Sequence, residues 1–159
     1  MSVILIGFMG AGKSTVARLL SEDFIDLDKL IEQQIQMPIS QFFKVFGEID
    51  FRQVEHEVFK SAILMDFVIA TGGGIVENEQ NRELLAQQKQ VIYLRANFES
   101  LLARVKADEA NVRPLAQDIS AMKSLYERRL PFYEAAADLI IETAGKSPAE
   151  IAQLILESQ

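Results

Sequence analysis

The apolar run Val3 to Ile6 leads straight into GFMGAGKS, residues 7–14, where three glycines precede a lysine and a serine. A short, continuously apolar, β-branched run suits a strand buried on both faces of a parallel sheet. Beyond the glycines, Ser14 to Leu20 carries Val16, Ala17, Leu19 and Leu20 at helical spacing. Strand, glycine turn and helix together match the phosphate-binding pattern Gly-x-x-x-x-Gly-Lys-Ser. There, successive backbone N–H groups and the helix start cradle nucleotide phosphates. On this pattern Lys13 reaches the β- and γ-phosphates and Ser14 offers its hydroxyl to Mg2+. The alternative is a glycine-rich turn that binds nothing. If the turn is functional, it demands an α/β unit around it and a pocket in front of it.

The remaining chain repeats the alternation. Phe24-Ile25 predicts a short strand and Leu27 to Ile35 a helix. Ile39 to Phe46 and Glu48 to Leu64 predict two helices, with Gly47 ending the first. Strand Phe67 to Thr71 closes on Gly72-Gly73-Gly74, and a helix at Glu79 to Gln87 leads to strand Val91 to Leu94. Phe98 to Val105 is helical, whereas residues 106–118 lose periodicity and contain Pro114, so they read as a loop longer than the usual connection, a length often used for lids. Ser120 to Tyr133 returns to helix, Leu139 to Ile141 is a last strand, and Ser147, Pro148 and Glu150 open the final helix as N-cap, first residue and capping-box partner. The expected fold is α/β, a three-layer αβα sandwich around a parallel sheet of about five strands, as one domain over residues 1–159. Ligands on such sheets bind beyond the carboxyl ends of the strands.

Composition narrows the chemistry. The chain has no cysteine, so disulfides, thiolate metal sites and cysteine nucleophiles are excluded, and His56 is the only histidine. A net charge of −7 disfavours binding to nucleic acid, so an anionic substrate must be held by a few local arginines and lysines. The start MSVILIGF has no basic leader and no later run reaches spanning length, so a cytoplasmic location with no membrane partner is expected.

Asp26 and Asp28 stand where the second strand ends. If the backbone stays extended there, both carboxylates project to one side, one to hold Mg2+ through water and one to orient or deprotonate an acceptor hydroxyl. The alternative is that either aspartate only caps the helix that follows. Arg52 has its own plain reading, a pair with Glu48 or Glu55 one turn away. The triple glycine allows close approach of backbone to a ligand, or is a flexible turn. Arg113, in the aperiodic segment, can neutralise a transferring phosphoryl group or be a plain surface cation. Arg128 and Arg129 precede Pro131 near an expected helix end, where the dipole favours cations.

The ordered set GFMGAGKST, FIDLD, GEIDFRQVE, ATGGGIV, VRPLA, RRLPFY and SPAEI covers nearly the whole chain. It resembles the shikimate kinase family, small P-loop kinases of the nucleoside-monophosphate-kinase-like group. The resemblance implies a P-loop NTPase fold with a mobile lid at about 106–118 and a substrate-binding helical region at about 28–64. It also implies transfer of the γ-phosphate of ATP to the 3-hydroxyl of shikimate, with Mg2+, by a monomer. By the same resemblance, Gly10, Ala11, Gly12, Lys13, Ser14 and Thr15 bind ATP, with Arg113 as lid arginine and Lys106 and Lys146 bordering the adenine. Asp28 is the base or orienting carboxylate, Asp26 supports Mg2+ beside Ser14, and Arg52, Arg129 and Gly72 to Gly74 bind shikimate. Two features depart from the family pattern: a connector of only SED between Leu20 and Phe24, and an acidic lid with Asp108 and Glu109. A gluconate-type sugar-acid kinase would share the P-loop, but would leave GEIDFRQVE, TGGG and RRLPFY without a purpose.

Overall fold

The computed structural model describes residues 2–107 and 116–159, excluding the side chains of 116 and 117. Strands β1 (Val3–Ile6), β2 (Ile25–Asp26), β3 (Val68–Ala70), β4 (Val91–Arg95) and β5 (Leu139–Glu142) form one sheet in the order β2-β3-β1-β4-β5. Every pairing is parallel. Helices α1 (Lys13–Leu20), α2 (Leu27–Ile35), α3 (Ile39–Ala62), α4 (Glu79–Ala86), α5 (Phe98–Ala107), α6 (Ala116–Ala136) and α7 (Pro148–Glu157) complete the fold. Successive strand residues point to opposite faces. Ile4, Leu5 and Ile6 are nonetheless all fully buried, so both faces of β1 are covered.

Strand β1 lies at the centre, with β3 on one side and β4 on the other. The chain therefore leaves β1 toward one edge and later crosses to the opposite side. A crevice opens at such a switch point beyond the strand ends, and the glycine loop emerges there. The loop, the end of β2 and the triple glycine after β3 all meet at this edge of the sheet.

Several expectations shift by physical causes that the structure identifies. The expected break at Gly47 is present, since its φ of 87° lies in the left-handed region that a side chain would resist and divides α3 into two helical halves, the second of which ends at Ala62 rather than Leu64. Helix α6 runs through Pro131 to Ala136, so Arg128 and Arg129 lie about two turns before its end and the helix dipole does not account for them. Helices α5 and α6 also take both ends of the expected 106–118 lid. Its centre, with Arg113, Pro114, Asp108 and Glu109, lies outside the described residues. The capping box at Ser147, Pro148 and Glu150 forms as expected, with both reciprocal hydrogen bonds. Among the described residues no helix is long and apolar enough to cross a membrane.

Candidate active site

Gly12 is the N-cap of α1, with φ 92°, and this left-handed turn lets the loop close over the helix start. Lys13 folds across the loop, its Nζ donating to the carbonyls of Gly7 at 2.5 Å and Phe8 at 3.1 Å. Burial pulls the Lys13 ammonium down to about 8, against the opposing charge of Asp28. A lysine so placed is a point charge short of solvation, which a polyphosphate would supply.

The capping reading of Asp26 holds, and the same carboxylate also meets Ser14. Its Oδ1 caps α2 by accepting from Lys29 N at 3.3 Å, and its Oδ2 accepts from Ser14 Oγ at 3.1 Å. The extended-backbone argument for Asp28 fails, because α2 begins at Leu27 and Asp28 sits in its first turn. Helical geometry still brings it to the mouth: a Cβ on Gly72 would lie 2.6 Å from Asp28 Oδ1. Burial, and next the charge of Asp26, push the Asp28 carboxyl up.

The triple glycine assembles the second half of the site. A Cβ on Gly73 would stand 3.3 Å from Arg129 Nη1, and one on Gly74 would stand 2.5 Å from Arg52 Nη1. Three consecutive residues without side chains therefore give way to three charged groups, Asp28, Arg129 and Arg52. Packing is the reason for glycine at Gly74, since no left-handed φ is required there. Arg52 Nη1 donates to both oxygens of Glu55 at 3.0 and 3.1 Å, and its Nε and Nη2 reach the more exposed Glu48 at 3.4 Å. The rings of Phe43 and Phe51 lie beside its guanidinium. Arg129 Nε and Arg128 Nη2 both donate to Glu77 Oε2, at 2.9 and 2.5 Å. Burial pushes the Glu77 carboxyl up, but these hydrogen bonds outweigh it and hold it below its ordinary value. Tyr133 Oη donates to Gly73 O, tying α6 to the same turn.

On the far side of the loop a cavity of about 250 Å³ is lined by Gly10, Gly12, Thr15, Arg104, Lys146 and Pro148, among others. Lys146 thus lies beside the glycine loop. Arg104, rather than Lys106, lines the cavity from α5, donating to Gly10 O at 3.1 Å. Sequence reasoning passed over Arg104 because helical spacing alone does not tell which face of α5 meets the loop. Glu77 was passed over for a similar reason, since its partners lie 51 and 52 positions away. Among the described residues no cluster of three or more His, Cys, Asp or Glu forms a ready-made metal cage. The adjacent hard oxygens of Ser14 and Asp26 do fit Mg2+, which takes few protein ligands and fills its shell with water and phosphate.

Comparison with known proteins points to one family over nearly the whole chain. The family model described as shikimate kinase matches residues 9–159. A shikimate kinase of Lactococcus lactis subsp. cremoris is 56% identical over 157 residues, covering 99% of this chain and 97% of that protein. One from Streptococcus gordonii is 47% identical over 158 residues, covering 98% of each. Among solved structures, the shikimate kinase of Acinetobacter baumannii in complex with shikimate superposes with a TM-score of 0.89 at 34% identity, covering 99% of this chain and 91% of that one. The shikimate kinase of Aquifex aeolicus gives a TM-score of 0.85 at 34% identity, covering 99% and 95%.

Proposed function

The chain belongs to the shikimate kinase family, and from that premise we infer that it transfers the γ-phosphate of ATP to the 3-hydroxyl of shikimate. The products are shikimate 3-phosphate and ADP, on the route to chorismate and the aromatic amino acids. The observation that carries this reading is the acceptor half of the site: one carboxylate and two arginines packed on three consecutive glycines at the mouth of a P-loop. A small hydroxylated carboxylate is complementary to it, its carboxylate to the arginine forks and its hydroxyl to Asp28.

In the proposed mechanism ATP lies along Gly10 to Thr15, its phosphates on the backbone N–H groups and the start of α1. The base enters the cavity between Arg104 and Pro148, with Lys146 at its edge. Lys13 turns from the loop carbonyls to the β- and γ-phosphates, exchanging two neutral acceptors for a charged one. Ser14 directly, and Asp26 through water, would hold Mg2+, which supplies charge neutralisation at the phosphates when bound. Arg52 and Arg129 fix the shikimate carboxylate and Gly72 to Gly74 let the ring approach, so the 3-hydroxyl meets Asp28. The raised affinity of Asp28 for a proton suits it to receive the one that the hydroxyl loses as the new P–O bond forms. Arg113, in the segment 108–115, would complete the charge on the phosphoryl side. The region 28–64 supplies the acceptor side and 106–118 the lid. Lid closure would exclude water and limit wasteful hydrolysis. A cytoplasmic monomer fits this reading.

A panel of acceptors with purified protein and MgATP tests it, with products identified by phosphorus NMR. Phosphate should appear on the 3-oxygen of shikimate and on no sugar acid. Phosphorylation of gluconate but not shikimate would overturn the assignment.

A further inference from the structure

Among the described residues, His56 and Asn81 hydrogen-bond to none of the groups assigned above to either substrate, yet they are 9% and 0% exposed. They come from α3 and α4 and meet at 2.9 Å between His56 Nδ1 and Asn81 Oδ1. Asn81 Nδ2 donates at 3.3 Å to Oε1 of Glu55, a residue 1% exposed. That same oxygen receives Arg52 Nη1 at 3.0 Å.

The two ends of an amide are chemically distinct. With Nδ2 directed at a carboxylate, Oδ1 faces the imidazole and can only accept, so His56 must carry a proton on Nδ1. The reverse arrangement would set Asn81 Oδ1 against Glu55 Oε1, two buried acceptors with no proton between them unless Glu55 were neutral. Burial already pushes the Glu55 carboxyl up, against the charge and hydrogen bonds of Arg52. A second N–H donor therefore supports the ionised form at the position where it is most strained. An ionised Glu55 with a fixed plane is in turn what holds Arg52 Nη1 by two hydrogen bonds.

We propose that His56 and Asn81 are positioning residues for acceptor binding, a buried relay from the His56 Nδ1–H through the Asn81 amide to Glu55 that fixes the Arg52 fork. The proposal rests on the reading of Arg52 as a ligand of the shikimate carboxylate. It assigns work to the one histidine of the chain, which the transfer reaction itself does not use.

Because His56 is the only histidine, its ring nitrogens give unambiguous NMR signals in the unmodified protein. At a pH near 8.5, nitrogen spectra should show Nδ1 protonated; a bare Nδ1 with the proton on Nε2 would overturn the relay. In steady-state kinetics, His56→Phe and Asn81→Leu should each raise the shikimate KM about tenfold while kcat and the ATP KM move less than about twofold. His56→Asn, whose amide nitrogen can stand where Nδ1 stood, should recover most of the loss. Folded variants with an unaltered shikimate KM, or with equal losses toward ATP, would refute the proposal. If Asn81→Leu does not fold, the His56 pair and the tautomer measurement still decide. Arg52→Lys separates the two levels: no rise in its shikimate KM removes the reading of Arg52, whereas a rise there with none in the relay variants removes the relay alone.

Discussion

Replacing Gly74 with alanine should separate acceptor binding from the other properties of the enzyme. The new methyl would stand 2.5 Å from Arg52 Nη1 and 2.7 Å from Cζ, where ordinary contact begins at 3.4 Å. The guanidinium must therefore retreat by roughly an ångström, a misplacement that costs about 100-fold in a positioned site. It cannot retreat freely, since Glu55 and Glu48 hold its nitrogens and Phe43 and Phe51 flank it. The backbone itself tolerates alanine, because Gly74 has no left-handed φ. We expect kcat/KM for shikimate to fall about 100-fold, equivalent to about 2.7 kcal/mol, mainly through KM. The ATP KM should stay within about threefold and the melting midpoint within a few degrees, by coupled assay and calorimetry. Gly73→Ala is the milder companion: its nearest neighbour, Arg129 Nη1, would be 3.3 Å away, so that apart from any crowding of the ring a smaller loss than in Gly74→Ala is expected. An unaltered shikimate KM in Gly74→Ala, or a larger loss in Gly73→Ala, would refute the packing argument.

Further outcomes test the individual roles. Asp28→Asn should lower kcat by about 100-fold or more with an intact fold, as loss of a positioned proton acceptor requires; near-normal turnover would leave Asp28 no proton to take. Arg52→Lys should mainly raise the shikimate KM, because a point charge replaces a bidentate fork, and titration with shikimate checks it. Lys13 must be charged to hold phosphate, so ATP affinity should decline as pH rises through about 8, and Lys13→Met should flatten that decline. The same depressed value means that the folded state binds fewer protons than the unfolded chain between about pH 8 and the ordinary 10.5. The contribution of Lys13 to stability therefore rises with pH across that window. Arg113→Ala should cut turnover by about 1,000-fold while leaving shikimate binding in place, measured by single-turnover kinetics and by equilibrium titration.

What could be read from the sequence followed the range of the interactions involved. The glycine loop, the break at Gly47 and the capping box at Ser147 are set by neighbouring residues, and each forms where local chemistry put it. Asp26 is instructive because capping occupies only one of its oxygens: Oδ1 caps α2, as local chemistry allows, while Oδ2 meets Ser14 twelve positions away. Asp28 reached the expected place by a different route, since the helix starts a residue before it and rotation about the helix, rather than strand alternation, aims it at Gly72. Glu77, Asn81 and Arg104 were beyond reach. Their partners are brought to them only by the packing of α6, α3 and the loop, and no spacing rule spans such separations.

If one site joins a nucleotide to a hydroxylated carboxylate, release of ADP from MgATP must depend on shikimate, which a coupled assay with and without shikimate measures. ADP release should be negligible without shikimate, rise to saturation with it, and match the shikimate 3-phosphate formed mole for mole. ADP release at the same rate without shikimate, or none with both substrates present, would contradict that joint site.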